Sequence, residues 1–258
     1  MSSTNAPRPN TIVDLHDIPV GHYQAVMESG HPIRRAWHLQ KFGRVLECLP
    51  DRPGQSILDV GCFAGSFLSL CPRERFSRQV GVDILPEQVE YANKRFGTDF
   101  RRFQYAPSIR NIGEVDGQFD CVTMIEVIEH LTAAEIPGMI EQITAKLRPG
   151  GRLVMSTPNY TSTWPILEQI LNRVSDISYA EQHATRFTFF DARRKLEQLA
   201  PQFRTDYDMT LKTTTHFISP FLAVFGVGFA SRVSRAVSHG AWKFPFGNLL
   251  LVAFDKKR

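Results

Sequence analysis

Short, almost unbroken apolar runs alternate along this chain with segments whose apolar residues recur every three or four positions. The runs are Ser56–Gly61, Arg78–Asp83, Phe100–Tyr105, Phe119–Ile125, Arg152–Thr157, Phe203–Leu211 and Asn248–Phe254, and each has the length and composition of a buried strand. Helical spacing occupies the gaps. Trp37, Phe42, Val45, Leu46 and Leu49 mark a helix over Arg35–Leu49, after the break at His31-Pro32. Further helices are predicted at Ser66–Leu70, Pro86–Phe96 (with proline in its first turn), Thr132–Leu147, Thr161–Asp176 and Asp191–Leu199. Strands apolar throughout and separated by helices predict an α/β fold, with a mostly parallel sheet covered on both faces. Residues 1–52 read as an N-terminal helical extension or lid and residues 53–258 as one domain. The block from His216 to Phe246 interrupts that domain as a helical, apolar insertion.

Composition narrows the class. At 258 residues, with 43% hydrophobic and 22% charged residues, the chain has the profile of a large folded domain and excludes disordered and fibrous classes. The formal charge of +4 suggests a nucleic-acid or membrane partner until it is located. From Ala230 onward Arg232, Arg235, Lys243, Lys256, Lys257 and Arg258 face the single acid Asp255, so the rest of the chain is nearly neutral. Cys48, Cys62, Cys71 and Cys121 are scattered, without zinc spacing, as expected of buried free thiols in a reducing cytosol. Residues 1–10 lack the apolar core of a signal peptide, and no run reaches the ~18 residues of a transmembrane helix. A cytoplasmic location is expected.

The most informative stretch is Ile57-Leu-Asp-Val-Gly-Cys-Phe-Ala-Gly-Ser-Phe67. A strand ends in an acid and then a Gly-x-x-x-Gly turn opens a helix, offering free N–H groups to an anionic ligand group. Gly81-Val-Asp83 places a second acid at the end of the next strand, where a carboxylate accepts hydrogen bonds from ribose hydroxyls. The G-x-G-x-x-G pattern of dinucleotide enzymes is not met. An acid just before the glycines suits a ligand bearing an ammonium group and no pyrophosphate.

Leu58-Asp-Val-Gly-Cys-x-x-Gly65 resembles the first motif of class I S-adenosylmethionine-dependent methyltransferases, and Gly81-Val-Asp83 resembles their second. Phe119–Leu131 resembles their fourth-strand motif and Leu147–Val154 the turn into their fifth strand. The resemblance covers roughly Arg35 to Asn159. It implies the Rossmann-like fold of that class, seven-stranded with the last strand antiparallel, and S-adenosyl-L-methionine as cofactor. It further implies that Gly61, Cys62 and Gly65 wrap the methionine part, that Asp59 faces the amino group and that Asp83 holds the ribose. Ile84 would pack on the adenine, Gln104, Tyr105 and Ala106 would reach its edge, and Ile125 and Glu126 would line the sulfonium side. Lys41 matches a basic position that approaches the cofactor carboxylate. Phe63 stands where the family has a glycine, and is a candidate cavity wall.

Glu126-Val-Ile-Glu-His130 leaves the fourth strand at the mouth of such a site, with two acids and a histidine spaced to share one face of a turn. Three readings stay open. Glu126 shapes the cofactor pocket while Glu129 and His130 cap the next helix; or His130 is a general base for an acceptor hydroxyl; or Glu126, Glu129, His130 and the distant His183 bind a divalent metal. The motif resembles both metal-dependent small-RNA 2′-O-methyltransferases and the O-methyltransferases of ubiquinone biosynthesis. Both resemblances imply methylation of oxygen. The catalytic candidates are His130, His183 and Glu129. A near-neutral core argues against a broad nucleic-acid face. The insertion, with Phe217–Phe229 followed by Arg232, Arg235 and Lys243, suits a small or lipid-like acceptor and peripheral contact with a membrane through residues 217–246. The alternatives are a metal-assisted RNA 2′-O-methyltransferase and a cofactor-binding regulatory protein without turnover. His22, Tyr23, His31, Trp37 and His38 of the extension are candidates to close over the acceptor, and Tyr179 and Glu181 lie in a segment expected to face it.

Overall fold

The computed structural model of the chain describes residues 18–174, 183–239 and 244–258. Seven strands form one sheet in the order β3-β2-β1-β4-β5-β7-β6. They are β1 (Gln55–Val60), β2 (Phe76–Asp83), β3 (Arg101–Tyr105), β4 (Phe119–Ile125), β5 (Leu147–Pro158), β6 (Tyr207–Thr215) and β7 (Leu249–Lys256). β1 to β5 pair in parallel, whereas β7 runs antiparallel to both β5 and β6, as the sequence led us to expect.

Burial on both faces explains why the strands read as unbroken apolar runs. In β7, Leu250, Val252 and Phe254 pack on one side while Leu249, Leu251 and Ala253 pack on the other. The first side joins Phe119, Phe203 and residues of α5 (Ile136–Lys146) and α7 (Ala192–Leu199). The second joins Phe76 and Phe103 to α2 (Pro32–Cys48) and α4 (Pro86–Phe96). Truncating one of these buried side chains to alanine costs roughly 2–5 kcal/mol. Arg152 and Asp255, paired through two contacts of 2.6 and 2.9 Å, hold β7 in register against β5.

Two expected elements shift. The sixth strand was expected at Phe203–Leu211, but Gln202–Thr205 is a short helix (α8) and β6 runs from Tyr207 to Thr215. Phe203 and Tyr207 are four residues apart, a helical spacing that closes on the core, and the β-branched run Thr213–Thr215 carries the strand onward. The helix expected from Thr132 begins at Ile136, because the Thr132 amide and hydroxyl both donate to the Glu135 carboxylate and hold a turn ahead of it.

The extension and the insertion meet. α1 (His22–Ser29) precedes α2, and α9 (Val227–His239) follows a short 3-10 turn at Phe221–Phe225. His216, in the left-handed region at φ 66°, donates from Nε2 to the Trp37 carbonyl at 2.7 Å, and Ser219 donates to Gln40 at 2.7 Å. These two bonds tie α2 to the segment entering the insertion. Trp242 and Lys243 lie outside the described residues, as do Tyr179 and Glu181. Among the described residues no helix is long and apolar enough to cross a membrane.

Candidate active site

The strand order reverses between β1 and β4, where connections leave in opposite directions and a crevice opens at the strand C-termini. A cavity of about 1080 Å³ lies there. At one end its wall comes from the turns after β1 and β2, and at the other from the turn after β4, from β5's end and from His183.

The β1 turn is shaped by backbone. Gly61 (φ 75°) and Gly65 (φ 77°) are both left-handed, and a side chain at either would collide, at Gly61 with Val127 and at Gly65 with Phe103. The Gly61 and Cys62 amides donate to the Val82 carbonyl, which pins the turn to β2. Phe63 is also left-handed, at φ 47°, a conformation that favours glycine. It stands on the cavity wall against Tyr23, with ring centroids 5.0 Å apart. Its amide donates to Asp83 Oδ2 at 2.6 Å, and the Leu85 amide donates to Oδ1 at 3.0 Å. The Asp83 carboxylate is thus fixed while keeping free lone pairs. Burial raises its pKa, against the pull of those amides. Asp59, buried at the end of β1, accepts from the Thr123 hydroxyl at 2.6 Å, and burial pushes its pKa up to about 7.

Of the residues expected at the cofactor, Lys41, Asp59, Gly61, Cys62, Phe63, Asp83, Ile84, Ala106, Ile125 and Glu126 all line the cavity. Gly65, Gln104 and Tyr105 do not. Gly65 caps α3 (Ser66–Ser69) and packs beneath it on Phe103. Gln104 and Tyr105 are exposed on the edge strand, and the chain reaches the cavity only after them, at Ala106, Pro107 and Ser108. Tyr23, Trp37 and His38 of the extension are on the wall, but His22 and His31 are not. His31 instead accepts the Ile33 amide at the start of α2.

At the far end Glu126, left-handed at φ 54°, pairs with Lys41 of α2. Burial would raise its pKa, but the adjacent Lys41 ammonium outweighs burial and holds it below the ordinary value. Ile128–His130 forms a 3-10 turn. It brings donor atoms of Glu129 and His130 within 4.8 Å of one of His183, although His130 and His183 are 53 positions apart in the sequence. Glu129 is buried, and burial together with the charge of Glu126 raises its pKa well above the ordinary carboxylate value. His183 is lowered by burial and by His130, with Glu168 acting in the opposite sense. Sequence reasoning missed Ile33, Arg34 and Leu167, which join Trp164 and Phe221 in completing this wall. They come from flanking elements, and nothing in their local pattern marks them.

Four buried polar atoms on the wall, Ser66 Oγ at the start of α3, His38 Nδ1 on α2, Glu129 Oε2 and Trp164 Nε1, have no hydrogen-bond partner among the described residues. Leaving such groups unpaired costs about 1–3 kcal/mol each, so the cavity suits a polar ligand.

Comparison with known proteins agrees with this geometry. Residues 34–203 match the model of a family described as the methyltransferase domain. A ubiquinone biosynthesis O-methyltransferase from Xanthomonas campestris pv. campestris is 32% identical over 111 residues, 42% of this chain and 45% of that protein. The chain spans about half or less of the length of the curated relatives it matches. The magnesium protoporphyrin IX methyltransferase of Synechocystis PCC 6803, solved with bound SAH, superposes with a TM-score of 0.57 at 17% identity, covering 91% of this chain and 93% of that one. A plantazolicin methyltransferase, solved with a triazolic desmethylPZN analog and SAH, gives 0.60 at 16% identity, covering 92% and 89%. At such identities the two structures establish the shared fold.

Proposed function

The chain belongs to the methyltransferase domain family, and from that membership we propose that it transfers a methyl group from S-adenosylmethionine to a hydroxyl oxygen of a small or lipid-like acceptor. The cofactor supplies an activated methyl group on a sulfonium. The residues present fit it. Asp83 has lone pairs for the ribose hydroxyls, Asp59 provides a carboxylate for the ammonium group, and the Ser66 hydroxyl is an unpaired polar group at the turn that would receive the methionine part. Ile84 offers an exposed apolar side chain for the adenine.

The observation that carries the choice of oxygen is the meeting of Glu129, His130 and His183 at the opposite end of the same cavity. A hydroxyl must lose its proton as oxygen takes up the methyl group, and an imidazole on the cavity wall is the side chain suited to receive it near neutral pH. The rest of catalysis is positioning of the acceptor. Calorimetric titration with S-adenosylmethionine and S-adenosylhomocysteine tests the reading: both bind, and binding of neither overturns it.

The same three residues also favour a second reading, in which a divalent cation held by their carboxylate and imidazole donors activates the hydroxyl. A cation would reverse the rise in the Glu129 pKa by restoring the ionised carboxyl. Turnover that survives exhaustive chelation eliminates this version.

An apolar acceptor is supported by the cavity mouth. Phe221 belongs to the cavity wall and to an exposed apolar surface with Ile218, Val224, Phe225 (77% exposed) and Phe229. The segment from Phe217 to Val237 contains Arg232 and Arg235 and no acid, which suits the surface of an anionic bilayer. Co-sedimentation with anionic vesicles at low salt is expected, and absence of binding there removes membrane contact from the proposal.

A further inference from the structure

Behind the acceptor end of the cavity, His183 is held by two residues that do not line it. Its Nδ1 lies 2.9 Å from Glu168 Oε1 and 2.9 Å from the Tyr160 hydroxyl. The Tyr160 hydroxyl is itself 3.1 and 3.3 Å from the two Glu168 oxygens, to which it donates. Three separate segments converge here: Tyr160 just after β5, Glu168 on α6 (Trp164–Val174), and His183 ahead of the bridge that joins Phe187 to Asn159. Glu168 is 5% exposed and His183 8%. Only His183 of the three reaches the cavity wall, where its ring faces His130 at a centroid distance of 5.4 Å.

A carboxylate oxygen can only accept, so Nδ1 of a neutral His183 must be the nitrogen that carries hydrogen. Nε2 is then left with its lone pair. The Tyr160 hydroxyl, already donating to Glu168, reinforces the same choice by accepting at its oxygen. We propose that Glu168, assisted by Tyr160, is a positioning residue that locks His183 in the Nδ1–H tautomer and presents the Nε2 lone pair to the hydroxyl of the methyl acceptor. The inference deepens the oxygen-methylation reading above and rests on it for the identity of the group that Nε2 meets. A histidine so held loses neither its tautomer nor its ring orientation when an acceptor arrives, which is the preorganisation that acceptor positioning requires. The arrangement resembles the general use of a second carboxylate to orient a working imidazole, here built from a strand end, a helix and a loop.

The test needs no acceptor. Long-range ¹H–¹⁵N spectra of the ¹⁵N-histidine-labelled full chain, in buffer with a chelator, report which nitrogen of His183 bears hydrogen, with His183→Gln used to assign the signal. The Nδ1–H form is expected in at least about tenfold excess, because a charge-assisted hydrogen bond contributes roughly 1.5–3 kcal/mol. Glu168→Leu should abolish that excess, Glu168→Gln should reduce it, and Tyr160→Phe should leave it largely in place. If Glu168→Leu does not fold, Glu168→Gln and Tyr160→Phe still give the ranking. An Nε2–H form in the wild-type chain, or an unchanged ratio in a folded Glu168 variant, overturns the proposal. Failure of S-adenosylmethionine to bind would instead overturn the methyl-transfer reading while leaving the tautomer measurement valid, so the two failures are separable.

Discussion

The two ends of the cavity are built in opposite ways. At the cofactor end a short stretch of chain does most of the work: the turn from Gly61 to Ser66 sets the wall through backbone conformation, and Asp83 is fixed by backbone amides. At the acceptor end the wall is made of side chains from distant segments, among them His130, Trp164 and His183. A local backbone device tolerates little change and serves one ligand. A wall assembled from helices, loops and an insertion is open to substitution, so under the proposed function this is the end that would set acceptor choice.

That contrast can be broken experimentally. The largest expected effect is on chemistry: His183→Ala should lower turnover by about 100-fold or more, while calorimetry finds cofactor affinity within about threefold of wild type. An equal loss of both would mean that the ends do not act separately. Asp83→Ala should do the reverse. It removes the acceptor of two backbone amides along with the proposed ribose contact, and cofactor affinity should drop by about 100-fold, at roughly 1.4 kcal/mol per factor of ten.

Asp59 sharpens the comparison through pH. Its folded pKa of about 7 lies above its ordinary 3.8, so the folded chain holds a proton there that the unfolded chain releases. Stability is therefore lost as pH rises from about 4 to about 7, by at most a few kcal/mol. Asp59→Asn lacks this loss. In denaturant titrations of the ligand-free chain, the variant should be the more stable above pH 7, and the advantage should fade toward pH 4. An advantage that does not depend on pH would contradict the burial account. The smallest effect is expected from Phe63→Gly. Relief of a left-handed phenylalanine and loss of its packing on Tyr23 oppose each other, leaving stability within about 1 kcal/mol by chemical denaturation.

The same contrast explains what the residues reveal before folding. Strands β1, β2, β4 and β5 were legible because burial on both faces makes them apolar throughout, and Asp59, Gly61 and Asp83 because their spacing is fixed by one strand–turn–helix unit. Gly65 was read as a ligand contact although its lack of a side chain serves packing on Phe103. Gln104 and Tyr105 were carried onto the cavity from their place at the end of β3, but an edge strand leaves them exposed. Glu168 gave no signal at all. Its meaning depends on His183, fifteen residues away across a loop, and on Tyr160 at the end of another strand. Phe203 misled for a different reason, since an aromatic at a strand-like position was claimed by a helical turn.

The contact between Gly61 and Val127 joins the two ends. A single added carbon at residue 61 would come within 2.4 Å of the Val127 methyl, and Val127 lies between Glu126 and the turn that carries Glu129 and His130. A side chain at 61 therefore meets two obstacles, a left-handed backbone at φ 75° and the Val127 methyl, so the cofactor turn and the turn after β4 are packed against each other through the absence of a side chain.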